Sequence, residues 1–175
     1  SRAFYKCPLL ERVSFGNALN EICDRAFYGC SALKEVSFPD SLKTIGDNAF
    51  YKCSSITTIQ FGGVENIGNY AFYGCNSLKS LILPNGVKKI GMQAFRNCTS
   101  LEGVVLSCVT AQLDKHVFYG CSSMTIYVPV QQKPDSWAED WNSAYRPVVF
   151  GCTLADDGEY IISFVKTGQS IINKN

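Results

Sequence analysis

The sequence is poor in the residues that chemistry usually needs. It has one histidine (His116), two methionines and two tryptophans among 175 residues. Sixteen basic and fifteen acidic side chains leave a formal net charge of +1. That balance gives no electrostatic case for nucleic acid or an anionic membrane. No apolar run approaches the roughly 20 residues that span a bilayer, so no membrane insertion is expected. No Gly-rich phosphate loop and no G-x-S-x-G nucleophile motif occur. Charged residues make up only 18% and apolar residues 46%, which is not the composition of a disordered chain. The sequence does not open on Met and has no signal-peptide pattern, so it reads as a segment of a longer chain.

Cysteine is plentiful, with nine in the chain. An odd number cannot pair fully within one chain, and disulfides, zinc or a catalytic thiol are the obvious readings. The spacing decides against all three as the organising principle. Cys7, Cys30, Cys53, Cys75, Cys98 and Cys121 are separated by 23, 23, 22, 23 and 23 residues. A fixed period of this kind marks a solenoid built from one recurring unit.

The flanks of these cysteines repeat as well. Ala3, Ala26, Ala49, Ala71, Ala94 and Val117 stand four residues before them. Phe4, Phe27, Phe50, Phe72, Phe95 and Phe118 follow, and then Tyr5, Tyr28, Tyr51, Tyr73, Arg96 and Tyr119. Cys7, Cys30, Cys53, Cys75 and Cys98 are each followed by an L-x-x-L-x-L spacing, as in Leu33, Val36 and Phe38 or Leu78, Leu81 and Leu83, and the last strand is one residue tighter. The period-2 end of the spacing reads as a short strand with one buried face. Leu42 and Ile45, or Val87 and Ile90, then return to the core. Gly46, Gly68 and Gly91 come next, where the chain is expected to bend back.

This unit resembles that of the BspA-type leucine-rich repeat family, and six copies in register cover about residues 1–128. The resemblance implies a right-handed, curved solenoid of about 23-residue turns, α/β or mostly β. A parallel sheet would line its concave face, and irregular or helical segments would carry Ala-Phe on the convex side. Residues 129–151 resemble the family's array terminus, through a Trp-bearing segment followed by Arg146-Pro147-Val148-Val149-Phe150-Gly151. Ser136 and Glu139 have capping-box spacing, which predicts a short helix over about 136–144. Trp137 and Trp141, four apart, would share one face of it. Residues 152–175 read as strands around Asp156-Asp157-Gly158, either a tail or the start of another module. The array enters at Ser1 in mid-repeat, so further repeats are expected upstream.

The ladder cysteines are expected to be reduced core thiols. Strand spacing would put neighbours within disulfide range, but their Cβ vectors run parallel. No close C-x-x-C pairs occur for zinc. Cys23, Cys108 and Cys152 lie off the ladder, and no pairing among them is assigned. His116 lies five residues before Cys121, which invites a Cys-His nucleophile. It shares a repeat position with Arg25, Asn48, Tyr70 and Gln93, however, so an exposed variable site is expected and an enzyme is not. Asp156, Asp157 and Glu159 lack a calcium-loop pattern. No cofactor or metal is expected. The Asn97-Cys98-Thr99 sequon is read as chance.

Between the core positions of the predicted strands lie Arg12 and Ser14, Glu35 and Ser37, Thr58 and Gln60, Ser80 and Ile82, Gly103 and Val105, and Thr125 and Tyr127. On a concave sheet these form the candidate binding surface. One column runs Ser14, Ser37, Gln60, Ile82, Val105, Tyr127, polar for three turns and apolar for three. Exposed apolar side chains in adjacent layers would mark a contact surface. Cover by the cap, or β-propensity alone, would equally account for Ile and Val there. Tyr28, Tyr51 and Tyr73 form a second column, expected to shield the core. The resemblance implies a secreted or cell-surface bacterial protein, monomeric and non-enzymatic, that binds an unidentified protein such as host extracellular matrix. A structural spacer is the alternative. A carbohydrate-binding module built on Trp137 and Trp141 is a weaker one.

Overall fold

The computed structural model describes residues 1–143, 145–153, 161–164 and 170–172. The chain winds into a solenoid whose turns each contribute two short strands. The first kind forms a five-stranded parallel sheet from β1 (Glu21–Ile22), β3 (Thr44–Ile45), β5 (Asn66–Ile67), β7 (Lys89–Ile90) and β9 (Gln112–Leu113). The second kind lies on another face: β2 (Glu35–Ser37), β4 (Thr58–Gln60), β6 (Ser80–Leu83), β8 (Gly103–Leu106), β10 (Thr125–Val128) and β11 (Val148–Phe150). There β2 pairs with β4, while β6, β8, β10 and β11 form a parallel sheet. A separate antiparallel sheet joins β12 (Cys152–Thr153), β13 (Ile161–Phe164) and β14 (Ser170–Ile172).

The L-x-x-L-x-L spacing gives the second kind of strand as expected. In β4, Ile59 points inward between exposed Thr58 and Gln60. The first kind is a ladder the sequence pattern did not announce. Each member has two residues and one buried side chain, Ile22, Ile45, Ile67, Ile90 or Leu113.

Between the two strands the Ala-Phe segment runs as consecutive turns. Ala49 N donates to Gly46 O, Tyr51 N to Asn48 O, and Cys53 N to Phe50 O. The same segment also bonds to the next turn, with Asn48 N, Phe50 N and Lys52 N donating to the carbonyls of Asn69, Ala71 and Tyr73. Left-handed residues recur twice per turn to hold this shape. One column is Arg2, Arg25, Asn48, Tyr70, Gln93 and His116, with φ between 55° and 63°. The other is Lys6, Gly29, Lys52, Gly74, Asn97 and Gly120. The glycines of Ala-Phe-Tyr-Gly-Cys therefore stand where an L side chain is strained, and Lys and Asn carry that strain in the other turns.

No helix occurs among the described residues, and in place of the helix expected over 136–144, residues 136–143 form turns with one bridge at Trp137. The backbone there is claimed by the last repeat instead. Trp137 forms a parallel bridge with Leu113, Ala138 N donates to Leu113 O at 3.1 Å, and His116 N donates to Asp140 O at 3.3 Å. Downstream, β11 extends the second sheet in register with β10, pairing Ile126 with Val148 and Tyr127 with Val149. The repeat breaks in sequence after residue 128, yet the chain makes another turn of the solenoid. Trp137 and Trp141 are 2% and 4% exposed, with ring centroids 4.6 Å apart, and belong to the same apolar core as the repeats.

Candidate binding surface

The core that carries any surface is a set of one-residue columns. Phe4, Phe27, Phe50, Phe72, Phe95 and Phe118 stack with centroid separations of 5.1, 5.0, 5.1, 5.2 and 5.8 Å. Next to them, five of the six ladder thiols, Cys30 to Cys121, each donate to the carbonyl of the phenylalanine one turn earlier. Cys30 Sγ reaches Phe4 O at 3.0 Å, Cys53 reaches Phe27 O at 3.0 Å, and Cys121 reaches Phe95 O at 3.1 Å. All nine cysteines are free, and of the off-ladder three Cys23 is exposed while Cys108 and Cys152 are buried. Burial pushes Cys108 from near 9 up to about 12. Burial also raises Cys30, Cys53, Cys75 and Cys98. These raised thiols are packing residues, poorly suited to act as thiolates; Cys121 goes the other way, lowered chiefly by its side-chain hydrogen bond with Cys98.

His116 and Cys121 do not meet as a nucleophilic pair. His116 Nδ1 lies 2.6 Å from Ser143 Oγ, across the junction to the last turn, and its ring packs edge-on to Tyr119. Asp156, Asp157 and Glu159 lie outside the described residues. No group of three or more potential metal ligands occurs among the described residues.

The candidate residues on the second strand face fall into two columns, as the register predicted. Glu35 pairs with Thr58, and Ser37 with Gln60, whose side chains share a hydrogen bond of 2.8 Å. Ser80 aligns with Gly103 and Thr125, and Ile82 with Val105 and Tyr127. Arg12, Ser14, Glu35, Ser37, Thr58, Gln60 and Ser80 are exposed. The apolar end is more covered than its sequence pattern implies. Ile82, Thr125 and Tyr127 are half-buried, and Val105 keeps only 7% of its surface. Val105 lies between Ile82 and Tyr127 in register, so branched and aromatic neighbours at strand spacing occlude it. The open part of this face is therefore its polar half.

Two features escaped the sequence reading. The first is a polar ladder beside the bend glycines. Asp47 N donates to Asp24 Oδ1 at 2.9 Å, Asn69 N to Asp47 Oδ1 at 2.7 Å, and Met92 N to Asn69 Oδ1 at 2.9 Å. A Cβ on Gly46, Gly68 or Gly91 would fall 2.5, 2.7 and 2.8 Å from these side-chain oxygens. The glycines make room for a carboxylate or amide from the turn before. Cys23 and Asp114 occupy the same repeat position, where the preceding turn presents Ser1 or Met92 instead. The signal was in the sequence as a pairing between turns, visible only once the ladder's geometry is known.

The second is the ring stacking of the expected tyrosine column and the grooves that flank it. Tyr5, Tyr28, Tyr51 and Tyr73 stack at 5.1, 4.7 and 4.6 Å. Arg96 continues it, its guanidinium 6.0 Å from the Tyr73 ring and 4.8 Å from Tyr119. A groove of about 680 Å³ runs along one side, lined by Arg25, Asn48, Tyr70 and Gln93. A second of about 590 Å³, lined by Ser31, Lys52, Ser54, Asn76 and Asn97, runs along the other. The tyrosines form a ridge between two polar grooves.

Comparison with known proteins follows this geometry. A family model described as a BspA type leucine rich repeat region matches residues 1–125 as six copies. A leucine rich repeat protein of T. pallidum shares 33% identity at a TM-score of 0.69, over 82% of this chain and 72% of that one. A leucine rich cell surface protein of Faecalibacterium prausnitzii A2-165 shares 26% identity at a TM-score of 0.62, over 75% of this chain and 34% of its own. The pneumococcal vaccine antigen PcpA matches in fold, at 19% identity and a TM-score of 0.63, over 77% of this chain and 40% of that one. No curated protein matches the sequence. No helix of the described residues is long and apolar enough to cross a membrane.

Proposed function

The chain belongs to the BspA-type leucine-rich repeat family, and on that premise we propose that it is a non-enzymatic, adhesion-type protein-binding module of a bacterial cell surface. The observation that carries this reading is the second strand face. Arg12, Ser14, Glu35, Ser37, Thr58, Gln60 and Ser80 are exposed on it, and parallel pairing holds Glu35 and Ser37 in register with Thr58 and Gln60. Half-buried Ile82, Thr125 and Tyr127, with Val105 buried between Ile82 and Tyr127, form its margin. A repeat surface of this kind binds by extended shape complementarity over several turns. Residues 1–128 act as the array, 129–151 as its terminal cap, and 152–175 as a tail or a following module. The surface location is supported by the description of the F. prausnitzii relative.

The test is surface plasmon resonance on immobilised matrix proteins such as fibronectin and laminin. Binding is expected, and a Glu35→Lys/Gln60→Lys double variant is expected to weaken it by at least about tenfold. No binding, or equal binding by the double variant, would overturn the reading and favour a spacer that presents other parts of a longer protein. The longer F. prausnitzii relative, of which this chain spans 34%, gives that alternative its footing. A sugar site on Trp137 and Trp141 is disfavoured, because both rings are buried in the core.

A further inference from the structure

The tyrosine ridge lies on turns separate from the strand face, and its chemistry is different. We infer that it is a second binding site, for an extended acidic polysaccharide lying along the solenoid axis. The first argument is periodicity. The ridge repeats every 4.6 to 5.1 Å, close to the advance per ring of an extended glycan. An extended peptide presents same-side groups roughly every 6.6 Å and falls out of step within two turns.

The second argument is the kind of group on offer. The grooves present amides and hydroxyls, from Asn48, Gln93, Ser31, Ser54 and Asn76. Polyols are recognised by paired donors and acceptors of this sort. Tyr73 accepts a hydrogen bond from Asn97 at 2.9 Å, and the Tyr51 hydroxyl lies beside that of Tyr73. The stack fixes the rings in place, so little side-chain entropy remains to be lost on binding.

The third argument is charge. Arg2, Lys6, Lys52 and Arg96 all lie within 6.0 Å of a ridge ring centroid, and Arg25 lines the groove. The nearby acids are Asp24 and Asp47, and the Oδ1 atom of each already accepts a backbone amide. Arg96 is oriented by Gln93 Oε1 at 2.8 Å, and its buried Nε has no partner. The chain as a whole is near neutral, so this local excess of cations is a property of the ridge. Guanidinium groups bind carboxylates well, which points to uronic acid units.

The experiment uses the whole chain at physiological salt with three polymers: polygalacturonate, neutral dextran and polyglutamate. Retention of polygalacturonate alone is expected. Arg25→Gln/Arg96→Gln should weaken it by at least about tenfold, from two lost charge-assisted contacts. Tyr28→Phe/Tyr51→Phe keeps the stack and removes only hydroxyls, and should weaken it several-fold with the melting temperature unchanged. Equal retention of polyglutamate would reduce the site to charge alone and overturn the proposal. So would no retention of polygalacturonate, or retention that both variants leave unchanged. Lys34→Ala/Glu11→Ala, a charge-neutral change at an exposed ion pair away from the ridge, should leave polygalacturonate binding intact, so loss of matrix-protein binding and loss of polygalacturonate binding stand or fall separately.

Discussion

A cysteine in this chain is a hydrogen-bond donor before it is a nucleophile. The thiol bonds give the phenylalanine carbonyls a further donor inside a tightly packed column, where Phe27 O, Phe50 O and Phe72 O also accept the backbone amides of Cys30, Cys53 and Cys75. Two outcomes follow at this scale. Cys23, which is exposed, should react with a thiol reagent in the native protein, whereas Cys53, Cys75 and Cys98 should stay silent until unfolding. Mass spectrometry of the labelled peptides reads this directly. Stability should also fall at alkaline pH. The thiols of Cys53, Cys75 and Cys108 titrate higher folded than unfolded, because burial disfavours the thiolate, while the hydrogen-bonded pair Cys98 and Cys121 shifts in opposite directions. The contribution of the first three is fully present below the unfolded thiol value of about 8.5 and is lost as pH rises beyond it. Tyr51 is raised as well, chiefly by burial, and acts in the same direction. Urea midpoints between pH 7 and pH 10 should decline, and a flat profile would contradict the assignment.

Elements in this fold are defined by what the neighbouring turn supplies. A strand of two residues such as β5 has no stability of its own, and parallel pairing on both sides holds it. The Asp24–Asp47–Asn69 ladder extends the same logic to side chains, and it stops at Met92, which cannot accept a backbone amide. Met92→Asn alone should bring no gain, because Asp114 stands where the ladder requires glycine. Combined with Asp114→Gly it should add one more rung and about 1 kcal/mol. A double-mutant cycle in urea should show that coupling. In the opposite sense, Gly68→Ala should cost about 1–3 kcal/mol, since its Cβ would lie 2.7 Å from Asp47 Oδ1 and from the Asp47 amide nitrogen.

The whole molecule is a stack in which each turn contacts mainly its neighbours, so its stability is close to a sum of interfaces. Loss at one end should therefore shorten the cooperative block rather than abolish it. Trp137→Ala removes a buried indole and should cost about 3–5 kcal/mol at that end. Amide exchange should accelerate first in β9 and β10, with β3 to β5 still protected. Uniform acceleration throughout would mean that the array folds as a single unit.

The period of the six cysteines, and the apolar positions between them, are fully legible in the sequence because each is a local residue choice repeated in every turn. They determined the solenoid, its core and the register of the outward columns. The helix expected over 136–144 failed for the complementary reason. Capping-box and i, i+4 signals describe an isolated segment, and here the unpaired edge of β9 took those backbone groups instead. The short strands β1 to β9 of the first sheet were not legible, since two residues carry no alternation. Nor was the cover over Val105, or the stacking of the tyrosine column and the grooves that flank it. Exposure and stacking depend on how far apart the turns lie and which side chains meet across them. Only the tertiary structure sets those distances.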